Sequence, residues 1–259
     1  MIEPVNTENI KSVNGVYFLS EPEAAFESKY IELREKENRL YPDDEATLLP
    51  ETVAGNPHGE EWKLRRCTFK RFLKYILKFN SDINLLDIGC GNGWFSAKVT
   101  EKVLFNTYAV DINKYELEQA ARVFSHSRLK FFYGNIFEDI FKERSFSLIT
   151  LNSSIQYFPD LRTFINRLFY FLAHNGEIHI LDSHIYKKDE IESAKERSAS
   201  YYRSIGFPEM AKYYHHHSFE DLKYFHYSII YNPENIFIRI QKSSGIKDSP
   251  FPWIKIVKR

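Results

Sequence analysis

Several features that would point to particular protein classes are scarce in this sequence. Two of its 259 residues are cysteines, Cys67 and Cys90, so a disulfide framework is excluded and a reducing, cytoplasmic setting is favoured. No apolar run approaches the roughly 18 residues of a membrane span, and the first residues lack the basic-then-apolar pattern of a secretory signal. The 35 basic and 35 acidic residues cancel, which argues against general nucleic-acid binding. We therefore expect neither a membrane nor a nucleic acid as partner.

Aromatic side chains, in contrast, are abundant. The 22 Phe and 17 Tyr residues raise the aromatic share to 16%, within a total of 43% apolar residues that can build a sizeable core. The first 80 residues are charge-rich, and Phe26, Tyr30 and Leu33 form a thin apolar seam on a predicted helix within residues 21–39. A second helix is predicted around residues 69–76 from its i, i+3, i+4, i+7 spacing. We therefore expect residues 1–80 to form an N-terminal helical cap.

From residue 83 onwards, short apolar runs alternate with amphipathic helix patterns. The predicted strands are Ile83–Ile88, Thr107–Val110, Leu129–Tyr133, Phe146–Leu151, Glu177–Asp182, Phe225–Tyr231 and Trp253–Val257. Residues 236–242 fit either a helix or a strand. Strands that alternate with helices of this length favour an α/β fold with a mostly parallel sheet covered on both faces.

One strand ends in an acid and a glycine-rich turn. Asp87 is followed by Gly89, Gly91 and Gly93 at alternate positions, just before a predicted helix. Glycines allow the backbone to turn sharply and to approach a ligand closely, and a helix N-terminus offers free N–H groups. Asp111 ends the next strand, where a carboxylate can accept two hydrogen bonds from a ribose diol. The pattern predicts a nucleotide-like ligand.

Two details favour S-adenosylmethionine over NAD as that ligand. A dinucleotide fingerprint requires its third glycine at residue 94, which is a tryptophan. Asp87 would place an anion near a pyrophosphate, whereas a ligand that carries an ammonium and a sulfonium benefits from this carboxylate.

The segment LLDIGCGNGWFS, residues 85–96, resembles motif I of the class I S-adenosylmethionine-dependent methyltransferases. Residues 108–112, 132–136, 148–160 and 174–181 resemble the further motifs of that family, in the same order. The resemblance covers about residues 82–185. It implies a Rossmann-like, seven-stranded, mostly parallel sheet with an antiparallel last strand and helices on both faces. The core would span residues 81–259, and residues 185–217 would form a lid insertion, all in one compact unit.

The resemblance also assigns roles to individual residues. It places Asp87, Gly89, Cys90 and Gly91 at the methionine half of the cofactor, Asp111 at the ribose, Ile112, Asn135 and Ile136 at the adenine, and Asn152 and Ser153 beside the transferred methyl group. The Asn-Pro-Pro-Tyr type sequence is missing from the fourth-strand motif, which lowers the assignment to methylation of nucleic-acid bases or glutamine.

The catalytic group is less clearly marked. Candidates are Tyr157, His184, His215 and His216. No metal is expected at residues 213–217, since adjacent histidines on an extended chain point to opposite faces. An arginine at 65 or 66 could pair with the methionine carboxylate, the alternative being a solvated helix face. The aromatic residues of segment 201–217 are expected to close against the N-terminal segment, with Phe26, Tyr30 and Trp62, over the methyl group.

These observations predict an S-adenosylmethionine-dependent methyltransferase, an enzyme that releases S-adenosylhomocysteine. The methyl group would pass to a small-molecule acceptor, at an oxygen or nitrogen nucleophile, by in-line displacement. A methyltransferase that acts on RNA or protein is one alternative. A non-catalytic module that binds S-adenosylmethionine or NAD is the other. The acceptor, the use of a general base and the oligomeric state stay open at this point.

Overall fold

The computed structural model describes residues 2–22, 24–79 and 83–258, and for Ala24, Ala25, Phe26 and Lys242 it describes the backbone alone. The strands are β1 (Ser12–Val13), β2 (Val16–Phe18), β3 (Asn84–Ile88), β4 (Asn106–Asp111), β5 (Leu129–Tyr133), β6 (Phe146–Asn152), β7 (Leu172–Leu181), β8 (Ile185–Tyr186), β9 (His217–Ser218), β10 (His226–Tyr231) and β11 (Trp253–Val257). The helices are α1 (Ala24–Lys36), α2 (Asp43–Leu48), α3 (Gly59–Ile76), α4 (Trp94–Thr100), α5 (Lys114–Val123), α6 (Leu161–Phe171), α7 (Ile191–Ser204), α8 (Phe219–Leu222) and α9 (Ile236–Ser243). Short 3₁₀ turns cover Ile155–Tyr157, Lys188–Glu190 and Pro208–Tyr213.

The central sheet confirms the predicted α/β class. Within the described ranges it has nine strands in the order β1-β2-β5-β4-β3-β6-β7-β11-β10. The six adjacent strands β2-β5-β4-β3-β6-β7 run parallel to one another. At the two ends of this set, β1 pairs antiparallel with β2, and β11 pairs antiparallel with both β7 and β10. The expected count of seven strands is therefore too low by the two strands of the N-terminal segment.

The two additional strands form a hairpin at one edge of the sheet. Asn14 and Gly15 connect β1 to β2 with φ angles of 50° and 82°. Positive φ at both positions is typical of the two-residue turns that Asn-Gly favours. The strands themselves span two and three residues, which is too short for their alternation to be recognised in the sequence.

Helices cover both faces of the sheet. Leu85 of β3 packs with Phe72 of α3 and Phe95 of α4 on one face. Its neighbour Leu86 packs with Leu168 of α6 on the other face, since successive strand side chains point in opposite directions. The segment that fitted either helix or strand is the helix α9.

The N-terminal segment and the lid insertion meet each other. The ends of the insertion are joined by a parallel pairing of β8 with β9, in which Ile185 lies opposite His217. Leu33 of α1 forms a small buried cluster with Tyr202 of α7 and Met210 of the following 3₁₀ turn. The expected approach of these two segments is therefore present, although the Phe26 side chain lies outside the described residues.

The proposed division of the chain at residues 80/81 falls between the described ranges and stays a prediction. Val16 and Trp62 of the first segment share a buried cluster with Leu85. In the part of the chain that the structure covers, no helix combines the length and the apolar character needed to cross a bilayer.

Candidate functional site

A cavity of about 770 Å³ opens at the edge of the sheet where β3, β4, β5 and β6 end. The strands are parallel, so their carboxyl ends meet at this edge, which is where open α/β sheets bind ligands. Residues of α1, α3 and α5 complete the wall, and Tyr213 contributes from the lid insertion. The cavity is therefore shared by the sheet core, the N-terminal segment and the insertion.

The glycine-rich turn after β3 forms the floor of this cavity. Gly89, Gly91 and Gly93 have φ angles of 71°, 53° and 75°, which L side chains rarely adopt. A Cβ atom at Gly89 would lie 2.5 Å from Cβ of Ser154, and one at Gly93 would lie 2.6 Å from the Phe131 ring. These two glycines are required by close packing as well as by the turn.

Asp111 ties the end of β4 to the glycine-rich turn. Its Oδ2 atom accepts a hydrogen bond from the backbone N–H of Gly91 at 2.8 Å, and its Oδ1 atom accepts one from the N–H of Asn113 at 2.9 Å. Burial raises the pKa of Asp111, and the hydrogen bond from Gly91 opposes that shift. A carboxylate has about four lone-pair sites, so Asp111 retains accepting capacity toward the cavity that it lines.

Asp87 is the more deeply buried acid, with 1% of its surface exposed. Hydroxyl groups of Ser96 and Thr150 donate to its two oxygens at 2.5 and 2.8 Å. Burial raises the pKa of Asp87 to about 6, although these hydrogen bonds lower it. Asp87 is thus a carboxylate held in place by the core, with its pKa close to neutrality.

Buried Glu116 and partly buried Arg34 form an ion pair that the sequence did not indicate. Glu116 in the first turn of α5 lies across from Gly91, and its Oε1 atom is 3.7 Å from Nη2 of Arg34 on α1. Burial raises the pKa of Glu116, and the Arg34 guanidinium opposes this. An acid in the first turn of a helix ordinarily lies at the surface, where it interacts favourably with the helix dipole. For that reason the sequence did not single out Glu116 as a cavity residue.

The end of β6 also contributes residues to the cavity wall. The Oδ1 atom of Asn152 is buried and has no hydrogen-bond partner in the described structure. The Ser153 hydroxyl accepts a hydrogen bond at 3.2 Å from Nη2 of Arg65, which lines the cavity from α3. Arg66, the other arginine considered, pairs with Glu51 instead. The structure therefore brings Arg65 to the site and places Arg66 elsewhere.

Aromatic rings form a further part of the cavity wall. The rings of Tyr30 and Tyr157 meet edge to face at 5.8 Å, and Tyr157 also contacts Tyr214 at 6.3 Å. Trp62 lies on the same wall, where its indole donates a hydrogen bond to Tyr41 at 2.8 Å. Burial raises the pKa of Tyr157, so the side chain remains a neutral phenol near pH 7.

Most of the residues that the sequence singled out lie on this one cavity. They are Asp87, Gly89, Cys90, Gly91, Asp111, Ile112, Asn135, Ile136, Asn152, Ser153 and Tyr157. Among the residues described, His184, His215 and His216 are not on its wall. His184 is exposed and stacks on Tyr186, while Nε2 of His216 lies 2.9 Å from the hydroxyl oxygen of Ser198.

No group of three or more His, Cys, Asp or Glu side chains that could hold a metal ion is found in the described ranges.

The family model and the curated relatives that this chain resembles are all methyltransferases. Residues 62–225 match a family model described as a methyltransferase domain. The malonyl-[acyl-carrier protein] O-methyltransferase of Priestia megaterium is 32% identical over 101 residues, which are 39% of this chain and 36% of that protein. An uncharacterized methyltransferase of Mycobacterium tuberculosis, Rv0089, is 27% identical over 84 residues, 32% of this chain and 42% of the relative. The matches thus span about two fifths or less of these curated relatives.

Two solved structures share the fold. The YcgJ protein of Bacillus subtilis has a TM-score of 0.55 at 15% identity, over 74% of this chain and 98% of that one. The phosphoethanolamine N-methyltransferase 2 of Haemonchus contortus, solved with phosphomonomethylethanolamine and S-adenosylhomocysteine, also has a TM-score of 0.55 at 15% identity, over 90% of this chain and 60% of that one.

Proposed function

Because this chain belongs to the methyltransferase domain family and is an S-adenosylmethionine-dependent methyltransferase with the class I Rossmann-like fold, we propose that it methylates a small-molecule acceptor at an oxygen or nitrogen atom. The observation that carries the proposal is the single cavity that joins the glycine-rich turn and Asp111 to an aromatic wall. Its volume of about 770 Å³ lies in the range of about 300–1,000 Å³ that is typical of small-ligand sites. The relative from Priestia megaterium, named as an O-methyltransferase, supports an oxygen acceptor.

The residues present fit S-adenosylmethionine at this site. In our proposal the free lone pairs of Asp111 bind the ribose hydroxyls, and Gly89, Cys90 and Gly91 lie against the methionine half. The buried, unpartnered Oδ1 of Asn152 would accept a hydrogen bond from the ammonium group, close to the Asp87 carboxylate. An orphaned buried acceptor is unfavourable, and such a donor would relieve it.

The adenine is assigned to the wall formed by the ends of β4 and β5. Ile112 is 42% exposed there and lines the cavity, so its apolar side chain is available to pack on a base. Asn135 and Ile136 follow β5 on the same wall, and the Asn135 N–H is held by the Ser20 hydroxyl at 2.9 Å. Ser153 and Arg65 would border the methionine carboxylate, since Arg65 already reaches Ser153.

When bound, S-adenosylmethionine supplies an electrophilic methyl group on a sulfonium, which is a good leaving group. The protein then has to hold the acceptor in line and exclude water. Tyr30, Trp62, Tyr157 and Tyr213 form the enclosing wall for this purpose. Tyr157, a neutral phenol, would orient the acceptor by hydrogen bonding rather than remove its proton. Of the four catalytic candidates we retain Tyr157, the one that lines the cavity.

The remaining assignments rest on composition. The balanced charge supports an acceptor other than RNA or DNA. Cys67 and Cys90 are both free thiols, which supports a reducing, cytoplasmic compartment.

The experiment that tests the proposal measures binding first and transfer second. Calorimetry with S-adenosylhomocysteine should give a dissociation constant of about micromolar order, and NAD should give no comparable signal. Labelled methyl groups from S-adenosylmethionine should then appear in a fraction of cell extract below the cut-off of a protein-retaining filter. Label recovered in RNA or in protein would overturn the small-molecule assignment. Native mass spectrometry of the purified protein identifies any retained acceptor.

A further inference from the structure

Three arginines line the cavity: Arg34, Arg39 and Arg65. The carboxylates that pair with Arg39 and Arg65 belong to Glu61 and Glu37, which are not among the described residues on the cavity wall. The counter-ions of Arg39 and Arg65 therefore lie off the cavity wall, whereas Glu116, the counter-ion of Arg34, lies on it.

Arg39 and Arg65 are already engaged. Both oxygens of Glu61 accept from Arg39, at 3.1 and 2.7 Å. Arg65 donates from Nε to Glu61 at 3.0 Å and from Nη2 to Ser153 at 3.2 Å. One carboxylate therefore fixes two arginines in place.

Arg34 is held less completely. Its Nη2 atom lies 3.7 Å from Oε1 of Glu116, beyond hydrogen-bond distance, and its buried Nε atom has no hydrogen-bond partner among the described residues. Its guanidinium lies 5.7 Å from the centre of the Tyr30 ring. A guanidinium has five N–H donors and stays charged at any working pH, so unpaired buried donors favour an incoming acceptor group.

The charge of Arg34 also restricts the kind of acceptor. Tyrosine and tryptophan rings around a pocket can bind an ammonium group by cation–π contact. Here the position beside Tyr30 is taken by a permanent cation whose counter-ion, Glu116, is 3.7 Å away. An ammonium group would have to compete with Arg34 for Glu116, whereas an anion can accept a hydrogen bond from the unpaired Nε atom of Arg34. A planar guanidinium matches the two oxygens of a carboxylate or phosphate.

We propose that Arg34 binds an anionic oxygen group, a carboxylate or a phosphate, of the methyl acceptor, and that the enzyme thereby selects acidic acceptors over amines. This inference rests on the proposed small-molecule function. It assigns Arg34 to the acceptor, whereas Arg65 is assigned to the cofactor.

The test uses the full chain saturated with S-adenosylhomocysteine and three probes of matched size: benzoate, phenyl phosphate and benzylamine. Calorimetry should show binding of at least one anion, and the stronger of the two anions identifies the group. Benzylamine should not bind. Arg34→Gln should weaken anion binding about tenfold or more. Arg66→Gln is the matched control, because Arg66 pairs with Glu51 and does not line the cavity.

Each outcome decides the matter. If neither anion binds, or if benzylamine binds as well as benzoate, the proposal is wrong. If Arg34→Gln weakens S-adenosylhomocysteine binding by the factor seen for the anion, Arg34 serves the cofactor and the proposal is also wrong. Arg34→Lys retains the positive charge, and it should keep part of the anion affinity that Arg34→Gln loses. Methyl label found in RNA or protein, with these binding results intact, contradicts only the small-molecule function.

Discussion

The backbone N–H of Gly91 donates a 2.8 Å hydrogen bond to Oδ2 of Asp111, so the glycine-rich turn and the end of the neighbouring strand form one unit. A ligand that binds Asp111 therefore contacts a carboxylate whose position is fixed by the same turn that forms the cavity floor. This linkage joins two motifs that are separated in sequence into one surface of the cavity.

The first prediction follows from this relationship. Asp111→Ala removes the acceptor for the ribose hydroxyls, and hydrogen bonds to a charged group contribute about 1.5–3 kcal/mol. We expect the dissociation constant for S-adenosylhomocysteine to rise at least tenfold, as measured by calorimetry. Asp139→Ala is the control, since Asp139 pairs with Arg167 on the surface. An unchanged dissociation constant in a folded Asp111→Ala protein would refute the assignment.

The second prediction concerns the third glycine of the turn. Gly93 and Gly206 both have positive φ angles, 75° and 90°, but a Cβ at Gly206 would meet nothing within 4 Å, whereas one at Gly93 would meet Phe131 at 2.6 Å. Gly206→Ala should cost about 1–2 kcal/mol of unfolding free energy from backbone strain. Gly93→Ala should cost about 1–3 kcal/mol more of unfolding free energy, because β5 and α5 must both move away from the new Cβ atom.

The unfolding midpoints of the two glycine variants in urea are to be compared. Similar midpoints would show that close packing at Gly93 contributes nothing beyond the backbone angle. Because the turn carries the cavity floor, Gly93→Ala should also weaken S-adenosylhomocysteine binding, and Gly206→Ala should not.

The third prediction is a pH dependence. Burial raises the pKa of Asp87 to about 6 in the folded protein from its ordinary value of 3.8, so the folded state binds more protons than the unfolded state between these values. Stability therefore falls as pH rises from about 4 to 6, and the loss persists above pH 6, amounting to about 3 kcal/mol for a shift of this size. Asp87→Asn should raise the melting temperature at pH 7.5 and leave it nearly unchanged at pH 4.

Asp182 supplies the control for this prediction. Burial raises its pKa to about 6 as well, and it accepts a hydrogen bond from Thr68 at 2.6 Å, but it does not line the cavity described above. Asp182→Asn should give the same pH-dependent stabilisation and leave the affinity for S-adenosylhomocysteine unchanged. Asp87→Asn should weaken that affinity. Equal effects of both substitutions on S-adenosylhomocysteine binding would count against a cofactor role for Asp87.

The central strands and helices could be predicted from the sequence because their buried residues recur with a clear period. Asp160, a residue type common at helix N-caps, precedes α6, and its Oδ1 atom accepts from the N–H groups of Arg162 and Thr163 at 2.9 and 3.1 Å. The hairpin of β1 and β2 was missed, although Asn14-Gly15 is a recognisable turn signal. Its second strand, β2, pairs with β5, more than 100 residues away, and no local sequence pattern indicates that contact.

The residues around the cavity were predictable only where a motif carried them. Asp87, Asp111 and Asn152 stand at strand ends, a position that topology brings to one edge. Arg34 lies on a charge-rich helix, and Glu116 lies in the first turn of an amphipathic helix, and acids and bases at such positions are typical of solvated surfaces. They come together because Arg34 of α1 reaches Glu116 of α5, and that contact joins segments about 80 residues apart in the chain.

The last prediction concerns the lid. Leu33 of α1 packs with Tyr202 and Met210 of the insertion, while Tyr30 and Tyr213 of the same two segments line the cavity. Both segments should therefore become ordered together when the cofactor binds. Hydrogen exchange should show increased protection of residues 20–62 and 201–217 in the presence of S-adenosylhomocysteine. Residues 161–171 lie on the opposite face of the sheet and serve as an internal control.

A pair of core variants separates a ligand-linked lid from simple packing. Met210→Ala removes a side chain that is 2% exposed in the lid cluster, and Leu222→Ala removes one that is fully buried on the far face of the sheet. Each should destabilise its surroundings by about 2–5 kcal/mol. Only Met210→Ala should speed the release of S-adenosylhomocysteine, because only its cluster joins the two segments that enclose the cavity. Identical exchange with and without ligand, together with equal release rates for the two variants, would leave these aromatic and apolar contacts with a packing role alone.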